Sequence, residues 1–431
     1  MKKLNCKILL LFSIFLFCFG NAVTVQAKTT TISKKNFPDA YVRKVLKKYD
    51  KNHDGRLSNK EQKKVDELTI NKRKQVDLKG IRKLKYLSVI NLHKVKVKNA
   101  TELAHVKRLE YLDARNANFP YLRLKNAYLK GFEVDDNSQL LSVNLSGCSQ
   151  LKDVTFIDNK RLKNLDFHNC KRMKELTDQG NTKLVKVNVM GASKLSRWEM
   201  DLCKGKKVQM NKLEDLWELK LNNYDGLNFD FSKTRRISYL YFNHSIVDDS
   251  TFKWTPNLST LECDECKSIK PLNISKLGNL YYLYAFKCQF GSSLDLTGLK
   301  NLTELSWEDN ATKTISFGNA NQLKEVCLDG NKFKGDMNFG MLRKLEELSV
   351  YDNALTSINT NGCPNLRSLC CTENKLLTLD LRECKKIRIC DAEKNPNLEL
   401  FIYCDANNYY DRMISYDNTA IIHYFDANYE D

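Results

Sequence analysis

The chain has 431 residues, 42% of them hydrophobic and 28% charged, with 17 Gly and 6 Pro. That balance excludes a disordered or collagen-like chain and predicts a sizeable core in one large domain or two ordinary ones. The formal net charge is +18, unevenly spread: residues 28–130 hold 28 Lys and Arg against 10 Asp and Glu, whereas residues 131–431 hold 39 against 42.

The first element is expected to lie outside the fold. Met1 to Lys7 is basic, Ile8 to Gly20 is apolar, and Val25-Gln26-Ala27 offers the small residues that a signal peptidase accepts. Residues 1–27 are therefore expected to be a secretory signal peptide. The apolar run is short for a membrane span and no second one occurs, so a secreted, extracellular chain without a transmembrane segment is expected. The end at Tyr429-Glu430-Asp431 carries no hydrophobic tail, and no covalent surface anchor is expected. Outside the cell the basic segment 28–130 meets polyanions rather than nucleic acid, which makes an anionic cell-wall polymer such as teichoic acid a candidate partner.

Residues 28–65 are expected to form a small helical cap. Phe37, Tyr41, Val42, Val45, Leu46 and Tyr49 have helical spacing, and a second short helix is expected from Ser58 through Val65. Between them lies Asp50-Lys51-Asn52-His53-Asp54-Gly55-Arg56-Leu57-Ser58-Asn59-Lys60-Glu61, which fits the twelve-residue EF-hand calcium loop. Asp50, Asn52 and Asp54 supply side-chain oxygens at positions 1, 3 and 5, and Gly55 permits the sharp turn at 6. Arg56 offers its carbonyl at 7, Ser58 suits the water-mediated position 9, and Glu61 is the carboxylate at 12. Calcium is the expected cofactor, bound by a cap that covers the open first edge of a repeat array. Six nearby lysines oppose only three carboxylates, and no second loop is present in the sequence to pair with this one.

From Leu109 onward an eleven-residue frame, L-x-x-L-x-L-x-x-N/C-x-x, recurs. Leu140, Leu151, Leu162, Met173, Leu184 and Leu195 open units spaced by eleven; further on, Leu216, Ile237, Leu258, Leu280, Leu302, Leu323, Leu345, Leu366 and Ile387 open the stronger halves of a 21–22-residue repeat. Its fourth and sixth positions face one way and its fifth and seventh the other, so one coil cannot bury its apolar row but a stack of coils can. The fold class expected is a leucine-rich repeat solenoid of parallel β-strands over residues 66–407, with about thirteen coils between Leu109 and Leu398. Residues 408–431 are expected to form a C-terminal cap or tail.

The ninth frame position carries Asn159, Asn181, Asn310, Asn331, Asn353, Asn374 and Asn395, or Cys148, Cys170, Cys203, Cys266, Cys288, Cys363 and Cys384. An inward Asn there can bond backbone groups that stacking would otherwise bury. Cys263 and Cys371 fall at the inward sixth position, so these cysteines are expected to be buried core thiols rather than a disulfide framework or a zinc site. One of the vicinal pair Cys370-Cys371 must face outward.

The phrase Phe37-Pro38-Asp39-Ala40, the single calcium loop and Val76-Asp77-Leu78-Lys79-Gly80-Ile81 leading into the repeats together resemble secreted leucine-rich repeat proteins of Gram-positive gut bacteria. The repeats are similar to those of internalins. The resemblance covers nearly the whole chain after residue 27 and is specific for architecture, since such folds carry many different activities. Unlike surface internalins, this sequence shows no cell-wall sorting signal.

The six His form no nucleophile or metal-binding pattern, and no phosphate-binding loop or nucleophile elbow is present, so a non-enzymatic protein is expected. Outward positions of the stronger halves carry Tyr241, Tyr284, Phe286 and Tyr351, with Glu304, Glu308, Glu325 and Asp329 nearby in the frame. Such aromatics suit a protein or glycan partner, and the carboxylates favour a basic one. The function expected is that of a calcium-stabilised binding module at the bacterial surface or in the medium. The alternative is a structural envelope protein held on anionic wall polymer by its basic quarter.

Overall fold

A computed structural model describes residues 29–202, 206–226, 229–404 and 412–426. The expected signal peptide, Cys203 and residues 405–411 and 427–431 lie outside the described residues.

Seventeen parallel strands form one ladder along the molecule, beginning at Glu67–Asp77 and Val89–Lys98 and ending at Ile389–Asp391 and Met413–Ser415. Among the described residues the ladder stays open: Glu67–Asp77 pairs only with Val89–Lys98, and Met413–Ser415 only with Ile389–Asp391. Fourteen of these strands lie between Leu109 and Leu398, against about thirteen coils expected there; two precede Leu109 and one lies beyond Leu398. At the C-terminal end, Met413–Ser415 and Ile421–Asp426 continue the coil pattern into the stretch expected as cap or tail.

The alternation of the frame decides each strand's two faces. Tyr239–Asn243, Thr260–Asp264 and Tyr282–Phe286 pair in register, with Leu240, Leu261 and Leu283 inside and Tyr241, Glu262 and Tyr284 outside. The weaker halves form the opposite wall. Tyr121–Arg123, Ser142–Asn144, Asn164–Asp166, Lys186–Asn188 and Lys207–Gln209 make one five-stranded sheet. A second runs from Lys334–Asn338 to Ile421–Asp426, with the pair Ser293–Asp295 and Thr314–Ser316 ahead of it. Between the five-stranded sheets the wall includes a 3-10 turn, Phe231–Lys233, and a helical turn, Asp249–Phe252. There the interior is filled by rings: Phe229 meets Phe231 edge-on at 4.9 Å between centroids, and Tyr224 lies 5.6 Å from both Phe231 and Phe242.

Polar ladders run inside this apolar core. Asn159 Nδ2 donates to Val134 O at 2.8 Å, and Asn159 Oδ1 accepts from Asn137 N at 3.0 Å. Asn137, fully buried, occupies the same slot one coil earlier, the ninth position of the unit opened by Leu129, and adds a rung to the series. Asn310, Asn331, Asn353, Asn374 and Asn395 extend the series behind the main sheet. Cysteine does the same work behind the opposite wall: Cys170 Sγ donates to Leu145 O at 3.2 Å and Cys363 Sγ to Phe339 O at 3.2 Å. Cys266 and Cys288 stand in for Asn in the main series, since Cys288 Sγ accepts from Cys266 N at 3.3 Å and donates to Cys263 O at 3.2 Å. Cys371 is buried while Cys370 is half-buried on the outer face.

One coil breaks the pattern. Lys206 is buried, and its ammonium bonds Asp178 Oδ2 at 2.5 Å and the carbonyl of Asp201. Asn181 Nδ2 completes the cluster at 2.6 Å from Asp178 Oδ1. A buried ion pair of this kind survives only when hydrogen bonds satisfy both charges.

Candidate functional site

Two regions gather the residues singled out in the sequence. The first is the N-terminal cap. Ala40–Lys47 is a helix whose N-cap Asp39 accepts from Tyr41 N and Val42 N through Oδ1, while its Oδ2 accepts from Asp77 N at 3.0 Å. The capping residue thus also ties the helix to the first strand of the ladder. Phe37, Val42, Leu46, Leu57 and Val65 are buried in one core with Leu68 and Ile70, so the cap closes the end of the apolar stack. The second helix is shorter than expected, Asn59–Gln62 rather than Ser58 to Val65. It opens on a capping box between Ser58 and Glu61 and tightens past Gln62 into three-residue bonds, Lys64 N to Glu61 O and Val65 N to Gln62 O, before the first strand begins at Glu67.

In the loop, Asp50 Oδ1 accepts from Asp54 N at 3.2 Å and Oδ2 from Gly55 N at 2.9 Å. Asp54 Oδ1 accepts from Arg56 N at 2.7 Å, and Asn52 Oδ1 from Asp54 N at 3.3 Å. Gly55 takes φ +76°, a left-handed conformation that favours glycine. Glu61 reaches back across the loop: Oε1 accepts from Lys51 N and Oε2 from Ser58 N, both at 2.8 Å. The Ser58 hydroxyl foremost, together with these two backbone bonds, brings its carboxyl down from 4.5 to about 2. The donor set of Asp50, Asn52, Asp54, the Arg56 carbonyl, Ser58 and Glu61 is all oxygen, which fits a hard divalent cation such as calcium.

The second region is the outer face of the main sheet. Register places Tyr239, Tyr282 and Glu304 in one row and Tyr241, Glu262, Tyr284 and Ser306 in the next. Tyr241 Oη donates to Asp264 Oδ2 at 2.8 Å and Tyr284 Oη to Glu304 Oε2 at 2.7 Å, each acceptor one strand further on. Burial and these acceptors push both phenols above their ordinary range. Tyr282 and Tyr284 lie parallel, 6.4 Å between centroids and 6° between planes. Phe286 is 40% exposed, with Lys287 Nζ 4.6 Å above its ring. Lys287 also lines an open groove of about 640 Å³ whose other walls are Ile269 to Pro271 and Asp309 to Ala311.

Tyr241, Tyr284 and Phe286 therefore share a patch, Tyr241 and Tyr284 standing two strands or about 10 Å apart. Tyr351 does not join them. It sits three strands beyond Phe286, about 14 Å away, beside Glu373 and Lys394. Two exposed members of the region, Trp217 and Ile269, escape a selection made on the repeat frame, because both lie outside its strand positions. Glu308, Cys327 and Asp329 also converge on this face, with ligand atoms within 4.8 Å of one another. Burial, foremost, pushes the Cys327 thiol up, away from the reactive thiolate.

The paired walls of parallel strands, the inward leucines and the asparagine ladder define a leucine-rich repeat solenoid. No protein-family model matches the chain, and no curated protein matches it in sequence. Among solved structures it is similar to a chain of the Drosophila Toll–Spatzle complex at 15% identity and TM-score 0.50, over 76% of this chain and 51% of that one. It is also similar to an internalin of Listeria monocytogenes, inlF, at 16% identity and TM-score 0.37, over 95% of this chain and 100% of that one. A leucine-rich repeat protein of Leptospira interrogans aligns at 18% identity and TM-score 0.46, over 85% and 88% of the two chains. At such identities the likeness is one of fold. No helix among the described residues is long and apolar enough to cross a membrane.

Proposed function

We propose that this chain is a secreted, non-enzymatic binding module that takes a protein or glycan on the outer face of its main sheet and closes its N-terminal end with a calcium ion. The observation that carries the first half is the aromatic patch: phenols anchored on neighbouring carboxylates are held in place before a partner arrives, so little side-chain entropy is lost on contact. Tyr241, Tyr284 and Phe286 supply large rigid area, the kind of anchor on which interfaces concentrate their energy. The solved complex of Toll with Spatzle is a precedent for such a fold meeting a protein ligand. Calcium is supported by the all-oxygen loop and by the role of that loop at the end of the stack.

The test measures binding of the purified chain and a Tyr284→Ala/Phe286→Ala variant to epithelial cells and to mucin by flow cytometry and plate assay. Wild-type binding that the double substitution abolishes, with the folded signal intact, supports the reading. Equal binding by both refutes the patch.

A second reading has its own observation. Apart from Arg43, every Lys and Arg among the described residues of segment 28–130 is exposed, so the excess positive charge faces outward. This surface suits retention on anionic wall polymer, and calcium and wall retention are compatible in one molecule.

A further inference from the structure

A lone calcium loop leaves the backbone of its seventh and eighth positions without a partner loop. Here that gap is filled from within the chain. Thr30–Thr31 pairs antiparallel with Arg56–Leu57, with Thr31 opposite Arg56 and Thr30 opposite Leu57. Ile32 N then donates to Gly55 O at 2.8 Å, so the strand engages the sharp turn as well as the two residues after it. Ile32 and Leu57 both have their side chains in the core, which fixes the pair to the cap. Asn36 Nδ2 donates to Thr31 O at 2.8 Å and Asn36 Oδ1 accepts from Lys83 Nζ at 2.6 Å, linking the strand to the 3-10 turn Ile81–Lys83 of the first coil.

We infer that Thr30 to Ile32 are positioning residues for the calcium loop, and that ion binding and docking of this N-terminal strand are one coupled event. The inference rests on calcium occupying the loop and goes beyond it by naming what holds the loop. The ligand carbonyl of Arg56 belongs to the very residue that Thr31 pairs with, so its peptide plane is set by the strand. Without the strand, Gly55 to Leu57 keeps the bonds from Gly55 N to Asp50, from Arg56 N to Asp54 and from Gln62 Nε2 to Leu57 O, none of them made by the peptide that carries the Arg56 carbonyl, and that carbonyl must be ordered at the moment of binding. By reciprocity, an ion that holds Asp50, Asp54 and Glu61 around the turn stabilises the strand that packs on it.

The experiment titrates the full chain with calcium chloride by calorimetry, alongside Ile32→Pro, which removes the donor to Gly55, and a variant lacking Thr29 to Thr31. Thr31→Ala, which changes an exposed side chain and keeps the backbone pairing, is the control. Both disruptive variants are expected to bind about tenfold or more weakly, the usual cost of losing support around a metal ligand, while the control binds as the parent does. Amide exchange at Ile32 is expected to slow when calcium is added to the parent, a response that a merely structural strand would not give. Parent-like affinity in the variant lacking Thr29 to Thr31, with its circular dichroism unchanged, overturns the inference. A parent that takes up no calcium at about 10 mM, tenfold above the weak end of extracellular sites, overturns the calcium reading itself.

Discussion

Replacing Asn310 tests how the solenoid tolerates polar groups in its interior. Asn310 is 3% exposed; its Oδ1 accepts from Cys288 N at 2.7 Å and its Nδ2 donates to Ala285 O at 2.8 Å. Asn310→Ala leaves that N–H and that carbonyl buried with no replacement for the lost bonds, at about 1–3 kcal/mol each, so the loss of stability is expected to be about 2–6 kcal/mol. Asn310→Cys is the informative companion. One coil earlier, Cys288 accepts from Cys266 N and donates to Cys263 O, the same two backbone positions that Asn310 serves for its own predecessor. A thiol at 310 can therefore reproduce the pattern with weaker bonds, and about half or more of the loss should be recovered. Equilibrium urea unfolding reports the effect, with Trp307 as local probe because its Nε1 is held by Thr312 Oγ1 at 2.8 Å in the same coil. An alanine variant within about 1 kcal/mol of the parent, or a cysteine variant as unstable as the alanine one, refutes the reasoning.

Lys206→Met strands the Asp178 carboxylate in the core and is expected to cost about 3–5 kcal/mol, whereas Lys206→Met with Asp178→Leu should recover most of it; a double-mutant cycle by urea unfolding decides. Glu61 has its carboxyl lowered from 4.5 to about 2, so its contribution to the cap is full above pH about 4.5 and is lost as pH falls through about 2; a carbon NMR titration of the calcium-free chain with a midpoint near 4.5 would falsify the hydrogen-bonded geometry. Glu61→Gln should abolish the calorimetric calcium signal while leaving the solenoid's circular dichroism unchanged. Co-sedimentation with Gram-positive cell walls should be released by salt as screening shortens to about 8 Å or less, and should be untouched by Tyr284→Ala/Phe286→Ala; salt-insensitive retention removes the electrostatic reading.

Much of the architecture is written in residue order. The spacing of Leu258, Leu261 and Cys263 already says which side chains go inside, because a strand turns alternate residues to opposite faces and an isolated coil has nowhere to bury them. The same frame places Asn159, Asn181 and Asn310 in the interior, and the loop from Asp50 to Glu61 shows its donor types at fixed offsets. Those features repeat or are local, so they are legible without knowing what lies beside them.

Other features depend on neighbours about twenty residues away or more. Both eleven-residue halves share one alternation, so only stacking decides that the Asn-bearing halves build the continuous ladder while the others make broken walls. Tyr284 finds Glu304, and Tyr241 finds Asp264, because register brings them side by side across adjacent coils. Lys206 looks like any other lysine until the coil carries its ammonium to Asp178, 28 residues earlier. Thr30–Thr31 shows no sign of being a strand in so short a stretch, and becomes one only because Arg56–Leu57 presents unpaired backbone to it. The sequence by itself determined the period, the inward rows and the chemistry of the loop. The tertiary structure decided which outward residues meet and what braces the loop, since those depend on distances across coils that no local spacing encodes.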